Sequence, residues 1–195
     1  MGWLFVLQAL TNFTFAHPGP GLPTGWQLTR VPHATPPTFQ LTGARALRIE
    51  TDGQAGFASH RLRAPLRPAH GRLTWRWRTA TPLPRASIRS RGRDDSPVRV
   101  FLRFDDGRTL FYTWGNTEPV GDTFVSANTS SRGVLVCRRT EDANGSWYLE
   151  TRDPFADYRR VFNRAPHSIV AVGVGADTDH LGNHTLAEVG EVTWE

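Results

Sequence analysis

Apolar and polar residues alternate with a period of two along most of the chain, the pattern of extended strands whose side chains point to opposite faces. The clearest run is Leu73-Thr-Trp-Arg-Trp-Arg78, with Leu73, Trp75 and Trp77 on one side and Thr74, Arg76 and Arg78 on the other. A face this rich in tryptophan needs a covering layer, so the run predicts one strand of a packed sheet. Val98, Val100, Leu102 and Phe104 alternate in the same way with Arg99, Phe101 and Arg103. Asp105-Asp106-Gly107-Arg108 then predicts a tight hairpin turn into a return strand, Thr109 to Trp114.

Further strands are predicted over residues 26–31, 39–41, 44–50 and 56–62. A Pro/Arg-rich loop occupies 81–95, and 118–131 is polar and irregular. Strands over 133–138 and 146–151 are expected as a pair around the Asp142-Ala-Asn-Gly145 turn, and strands over 168–176 and 186–194 close the chain. Only 155–162 has a helical period: Phe155, Tyr158, Val161 and Phe162 share one side, and Asp157 sits in the first turn. About ten short strands and one short helix predict an all-β fold, a jelly-roll-like antiparallel β-sandwich with its first and last strands paired.

A chain of 195 residues suits a single core. With 38% hydrophobic and 21% charged residues, it falls outside the disordered and membrane-spanning classes. The net charge of +5 raises a nucleic-acid partner, but the arginines are interleaved with acids. The densest group, Arg85, Arg89, Arg91 and Arg93, runs into Asp94 and Asp95 and reads as a solvated loop, so nucleic acid is not the expected partner. The single cysteine, Cys137, lies in an apolar strand; it excludes an intrachain disulfide and a Cys-based metal site and reads as core.

Gly2 to Leu10 is apolar and Thr14-Phe15-Ala16 resembles a cleavage signal, although no basic residue precedes it. The stretch is too short to span a bilayer. Residues 1–24 are therefore read as a weak signal-like segment with a Gly/Pro linker, and 25–195 as one β-sandwich domain, periplasmic or secreted. The competing reading has the apolar stretch packing onto the domain.

Several spaced motifs resemble an uncharacterised bacterial family, domain of unknown function 3047. They are Leu73-Thr-Trp-Arg-Trp-Arg78, Arg93-Asp94-Asp95 with the strand after it, Leu110-Phe-Tyr-Thr-Trp-Gly115, Trp147 to Arg152 with Asp157-Tyr-Arg-Arg-Val-Phe162, and Ala176-Asp-Thr-Asp179 before Gly190-Glu191. The resemblance covers most of residues 25–195 and implies an exported β-sandwich without an established activity. It carries no chemistry onto named positions. The chain departs from the pattern at His180, where the family favours Asn.

Asp177-Thr-Asp179-His180-Leu-Gly182-Asn183 supplies alternating carboxylates and a glycine turn, part of a calcium loop. Asp177 and Asp179 are thus candidate metal ligands, with Glu50, Asp52 or Glu191 to complete the set; the alternative is a strand-end turn capped by Asp and Asn. Adjacent Asp94 and Asp95 should point apart, a poor acid/base pair, and are expected to pair with Arg76, Arg78 or Arg99. Tyr112 and Trp114 share a side of their strand. Flat rings beside arginine and carboxylate suit a sugar, whose apolar face they cover. A ligand cleft is accordingly expected at Arg76, Arg78, Arg99, Tyr112, Trp114 and Asp177, against the alternative that the rings are core. His180 and His184 are separated by a turn and do not form a zinc pair.

No Gly-x-Ser-x-Gly, P-loop or dinucleotide fingerprint occurs. The expected function is a non-catalytic domain binding a carbohydrate, such as a polysaccharide, or another cell-envelope ligand. The alternatives are a carbohydrate-active hydrolase or lyase using carboxylates on the same face, and a structural envelope protein.

Overall fold

A computed structural model describes residues 8–14, 16–69 and 71–195. The strands in chain order are β1 (Gln8–Ala9), β2 (Gly19–Pro20), β3 (Trp26–Arg30), β4 (Thr38–Leu41), β5 (Ala46–Asp52), β6 (Ala55–Leu66), β7 (Leu73–Thr79), β8 (Ser96–Phe104), β9 (Thr109–Trp114), β10 (Thr123–Val125), β11 (Arg132–Arg138), β12 (Tyr148–Arg152), β13 (Ile169–Asp177), β14 (His184–Gly190) and β15 (Thr193–Trp194). One α-helix among the described residues, α1 (Pro154–Phe162), separates β12 from β13. No helix among the described residues is long and apolar enough to cross a membrane.

These strands form a jelly-roll-like β-sandwich of two sheets. The eight-stranded sheet runs β1-β15-β7-β14-β5-β4-β2, with β12 also on β7; the seven-stranded sheet runs β10-β11-β9-β8-β13-β6-β3. Pairing is antiparallel except between β9 and β11, which run parallel. The first described strand and the last pair, Gln8 opposite Trp194.

Period-two patterning sends large rings between the sheets. Trp75 and Trp77 of β7 are 1% and 0% exposed. Trp75 meets Tyr112 at 5.0 Å between ring centroids, and Trp77 meets Trp114 at 5.5 Å. Offset and edge-on aromatic pairs of this kind contribute roughly 0.5–1.5 kcal/mol beyond the area they bury. The helix is fixed at both ends: Asp153 accepts from the amides of Phe155 and Ala156 at 3.0 Å, Pro154 opens the first turn, and Asn163 closes it in the left-handed region. Its buried side adds Phe155, Tyr158 and Phe162 to the core.

Two expectations change. Strands β11 and β12 are not a hairpin: β11 lies in the seven-stranded sheet and β12 pairs with β7 in the other. The turn between them is a crossover, pinned where the Gly145 amide donates to the Thr79 carbonyl at 2.9 Å. The stretch 118–131 contains β10, held by pairing with β11 and not by its own pattern. Residues 8–14 lie against the sandwich. Leu10 and Phe13 are buried, and Glu191 accepts from Thr11 Oγ1 at 2.6 Å and from the Thr14 amide at 2.6 Å.

Candidate functional site

The outer face of the seven-stranded sheet is built from the residues that alternate with its core. On β8 these are Arg99, Phe101 and Arg103; on β9, Phe111 and Thr113; on β6, Phe57. Strand β13 presents Gly173, Gly175 and Asp177. The register places Gly175 opposite both Phe57 and Arg99, and Gly173 opposite Phe101. A Cβ at Gly175 would lie 2.2 Å from the Phe57 ring, and one at Gly173 would lie 2.1 Å from the Phe101 ring. The missing side chains therefore let both rings lie down across β13. With Phe111 they form an edge-packed apolar layer, with centroids 5.3–5.9 Å apart.

Above this layer two recesses of ≈ 100 Å³ and ≈ 350 Å³ adjoin at Phe57, Phe111 and Arg132, and together they make up the groove of this face. The larger end carries Arg103 and Arg132, both exposed. Neither guanidinium has a carboxylate within ion-pair distance among the described residues. The smaller end is acidic, and loop 81–95 walls it. That loop is anchored by Leu83, Ala86 and Ile88, which are buried, and Ile88 packs on Val134 and Val136 of β11.

At the acidic end Asp94, Asp95, Asp177, Asp179 and His180 converge with Arg99. Asp95 is fully buried and accepts from the amides of His180 and Leu181 at 3.3 and 3.0 Å, which ties the 178–181 loop to the 94–95 loop. His180 Nδ1 stands 3.1 Å from Asp179 and 3.5 Å from Asp94 and from Asp95. Arg99 lies 3.6 Å from Asp177 and donates to the Asp94 carbonyl. Oxygens of Asp94, Asp177 and Asp179 and the Arg99 Nε are buried without a hydrogen-bond partner. Such groups are rare in a folded interior and each is costly. Burial pushes the Asp177 carboxyl up to about 7; Arg99 pulls it down, and Asp179 and Asp94 push it further up. Burial also raises Asp95, against the amides that favour its charged form.

The residues expected to share one cleft occupy three places. Arg99 and Asp177 are in the groove. Tyr112 and Trp114 lie between the sheets, 0% and 1% exposed, and offer no ring to a ligand. Arg99 pairs across the ladder with Thr113, so the β9 residues on its face are Phe111 and Thr113. Arg76 and Arg78 lie on the outer face of the eight-stranded sheet, over the Trp147 ring at 4.6 and 4.8 Å. Neither pairs with Asp94 or Asp95; Arg78 pairs with Glu188 at 2.6 Å and Arg76 donates to the Ala44 carbonyl at 3.2 Å.

Asp177 and Asp179 do come together, and their companions are Asp95 and His180. Glu191 instead holds the N-terminal stretch, and Glu50 pairs with His184 at 3.0 Å. Asp94 and Asp95 sit in a loop and not in a strand, so both reach His180 instead of pointing apart.

The model of a family described as a protein of unknown function (DUF3047) matches residues 24–193. No curated protein sequence matches the chain. Among solved structures, a xyloglucanase domain of NopAA, a type three effector from Sinorhizobium fredii, in complex with cellobiose, superposes with a TM-score of 0.51 at 10% identity, covering 97% of this chain and 98% of that one. A mutant family 29 carbohydrate-binding module gives 0.46 at 11% identity over 98% and 92%. A variant of a cellulase from Rhodothermus marinus gives 0.46 at 12% identity over 97% and 95%.

Proposed function

The chain belongs to the DUF3047 family, and we propose that it is a carbohydrate-binding domain whose ligand lies in the groove on the outer face of the seven-stranded sheet. The observation that carries this reading is the set of unpaired groups at the acidic end. Asp177 Oδ1 has no donor, Asp94 and Asp179 Oδ1 have only a poorly aligned His180 Nδ1 at 3.5 and 3.1 Å, and Arg99 Nε lacks an acceptor. A sugar hydroxyl donates and accepts at once, so vicinal hydroxyls match this mixed demand, while the phenylalanine layer takes apolar ring hydrogens. Arg103 and Arg132 extend the groove with free guanidinium donors suited to ring and exocyclic oxygens. The xyloglucanase domain shares the fold alone, and fold does not fix function.

Catalysis is the second reading, favoured by an Asp177 carboxyl that titrates near neutrality beside Asp179. Against it, the groove's acids Asp94, Asp177 and Asp179 all belong to its smaller end. A glycosidase places its two carboxyls about 5 to 9.5 Å apart on either side of the scissile bond.

Affinity electrophoresis through gels containing soluble β-glucans, xylans and pectins tests the binding. Wild-type chain is expected to be retarded by at least one. The double variant Arg103→Ala/Arg132→Ala should run free with an unchanged melting transition. Absence of retardation on every glycan, or full retardation of the double variant, defeats this reading. Release of reducing ends or unsaturated products from a retarding glycan would move it to the enzyme.

A further inference from the structure

The acidic end of the groove has an excess of negative charge that its own cations do not balance. Four carboxyl groups, those of Asp94, Asp95, Asp177 and Asp179, gather around one guanidinium, Arg99, and one imidazole, His180. Asp95, Asp177, Asp179 and His180 each offer one donor atom, and these atoms all lie within 4.8 Å of one another. A group of acids alone would be unremarkable on a protein surface. Here Asp177 is 8% exposed, and its Oδ1, buried in the recess, has no hydrogen-bond partner. Asp179 Oδ1 is likewise buried, with the His180 Nδ1 3.1 Å away but out of hydrogen-bond alignment. The positions are also fixed in advance, because Asp95 is held by two backbone amides of the loop that carries His180.

We propose that Asp95, Asp177, Asp179 and His180 form a binding site for a divalent first-row transition cation of the Mn2+ to Zn2+ class. The donor set selects the metal. Calcium takes oxygen ligands throughout, whereas an imidazole nitrogen among carboxylates suits a borderline cation. Asp94, whose Oδ1 is 3.5 Å from the same His180 Nδ1 and whose Oδ2 accepts from Asn128 at 3.0 Å, adds a further carboxylate beside the site. Arg99 competes for Asp177, so cation entry loosens a pair already as long as 3.6 Å.

The full chain, stripped with EDTA and desalted, is titrated with Mn2+ while the free-ion electron paramagnetic resonance signal is followed; no glycan is present, so the outcome does not depend on the reading of the groove. One equivalent of Mn2+ should be taken up, displaced by Zn2+ and not by equal Ca2+. Asp179→Asn should weaken uptake about tenfold or more. His180→Asn should weaken Mn2+ to a similar degree while leaving Ca2+ binding unchanged, and its ring is exposed enough for the fold to persist if Asp179→Asn fails to fold. An undiminished free-ion signal up to millimolar Mn2+, tighter binding of Ca2+, or equal uptake by wild type and both variants overturns the site.

Discussion

The two outer faces of the sandwich use the same residue types to opposite ends. On the eight-stranded sheet Glu188, 2% exposed, takes Arg48 at 2.9 Å and Arg78 at 2.6 Å, and Arg76 and Arg78 rest on Trp147. Neither carboxylate oxygen of Glu188 is left over: each has an arginine. On the seven-stranded sheet Arg99 meets Asp177 at 3.6 Å, and carboxylate oxygens and a guanidinium nitrogen remain unpaired. Arginine, carboxylate and ring together thus mark a closed ionic brace in one place and an open site in the other. What separates them is whether the polar groups satisfy one another, a property of packing and not of composition.

Breaking the brace should have the largest effect on stability and none on binding. Glu188→Ala leaves two guanidiniums facing each other across β14. Loss of one partner of a buried pair costs roughly 3–5 kcal/mol, and because these arginines are more than a third exposed, about 2 kcal/mol is expected here. Urea unfolding should show it, with glycan retardation and Mn2+ uptake as in wild type.

Neutralising the open site should act in the other direction. In metal-free protein the folded Asp177 holds its proton up to about 7, where an unfolded aspartate has lost it near 3.8. Protonation of the folded state therefore supports stability below pH 4, and this support fades as pH rises through about 7. Arg99, Asp179 and Asp94 face the group and set the size of the slope. Asp177→Asn should flatten the fall between pH 4 and 8, raise stability at pH 8 by on the order of 1 kcal/mol, and abolish Mn2+ uptake. A variant less stable than wild type at pH 8 would place Asp177 in the brace category.

The strand pattern was legible because one side of each strand faces the core: Leu73, Trp75 and Trp77, or Val98 to Phe104, could only point inward. The hairpin at Asp105 to Arg108 and the helix at Phe155 to Phe162 follow from local chemistry, a turn glycine and an apolar stripe. Which sheet a strand joins is not local. Strand β9 is buried on both sides, with Phe111 at 5% and Tyr112 at 0%, so alternation alone does not say which of its rings meets Arg99. For the same reason Arg76 and Arg99, alike in sequence context, end on opposite faces of the molecule. Of the groove, Arg99 was legible as a polar-face residue of its strand, and Asp177 and Asp179 as acids at the end of theirs. Asp95 was not joined to them because its contact with the 178–181 loop bridges 85 residues of sequence, and His180, in the same run as Asp177 and Asp179, was weighed only against His184. The available signal was Gly173 and Gly175 on β13, alternate glycines in an apolar strand, which announce that something lies across that face.

The smallest effect is the sharpest test of which face binds. Trp147 is half-buried on the eight-stranded sheet and carries Arg76 and Arg78 over its ring. An aromatic of this exposure beside arginines is also what a sugar platform would look like, so the brace reading makes a definite claim about it. If the ring serves only to seat two guanidiniums, Trp147→Ala removes cation–π contacts of roughly 0.5–1 kcal/mol each at exposed sites. The arginines then relax into water and onto Glu188, and the net loss is about 1 kcal/mol. Retardation on the glycan should match wild type, and the Arg103→Ala/Arg132→Ala change should still abolish it in the Trp147→Ala background. Loss of retardation from Trp147→Ala alone, with the melting midpoint little changed, would exchange the roles of the two faces. The unpaired carboxylates of the groove would then serve the cation and not the sugar.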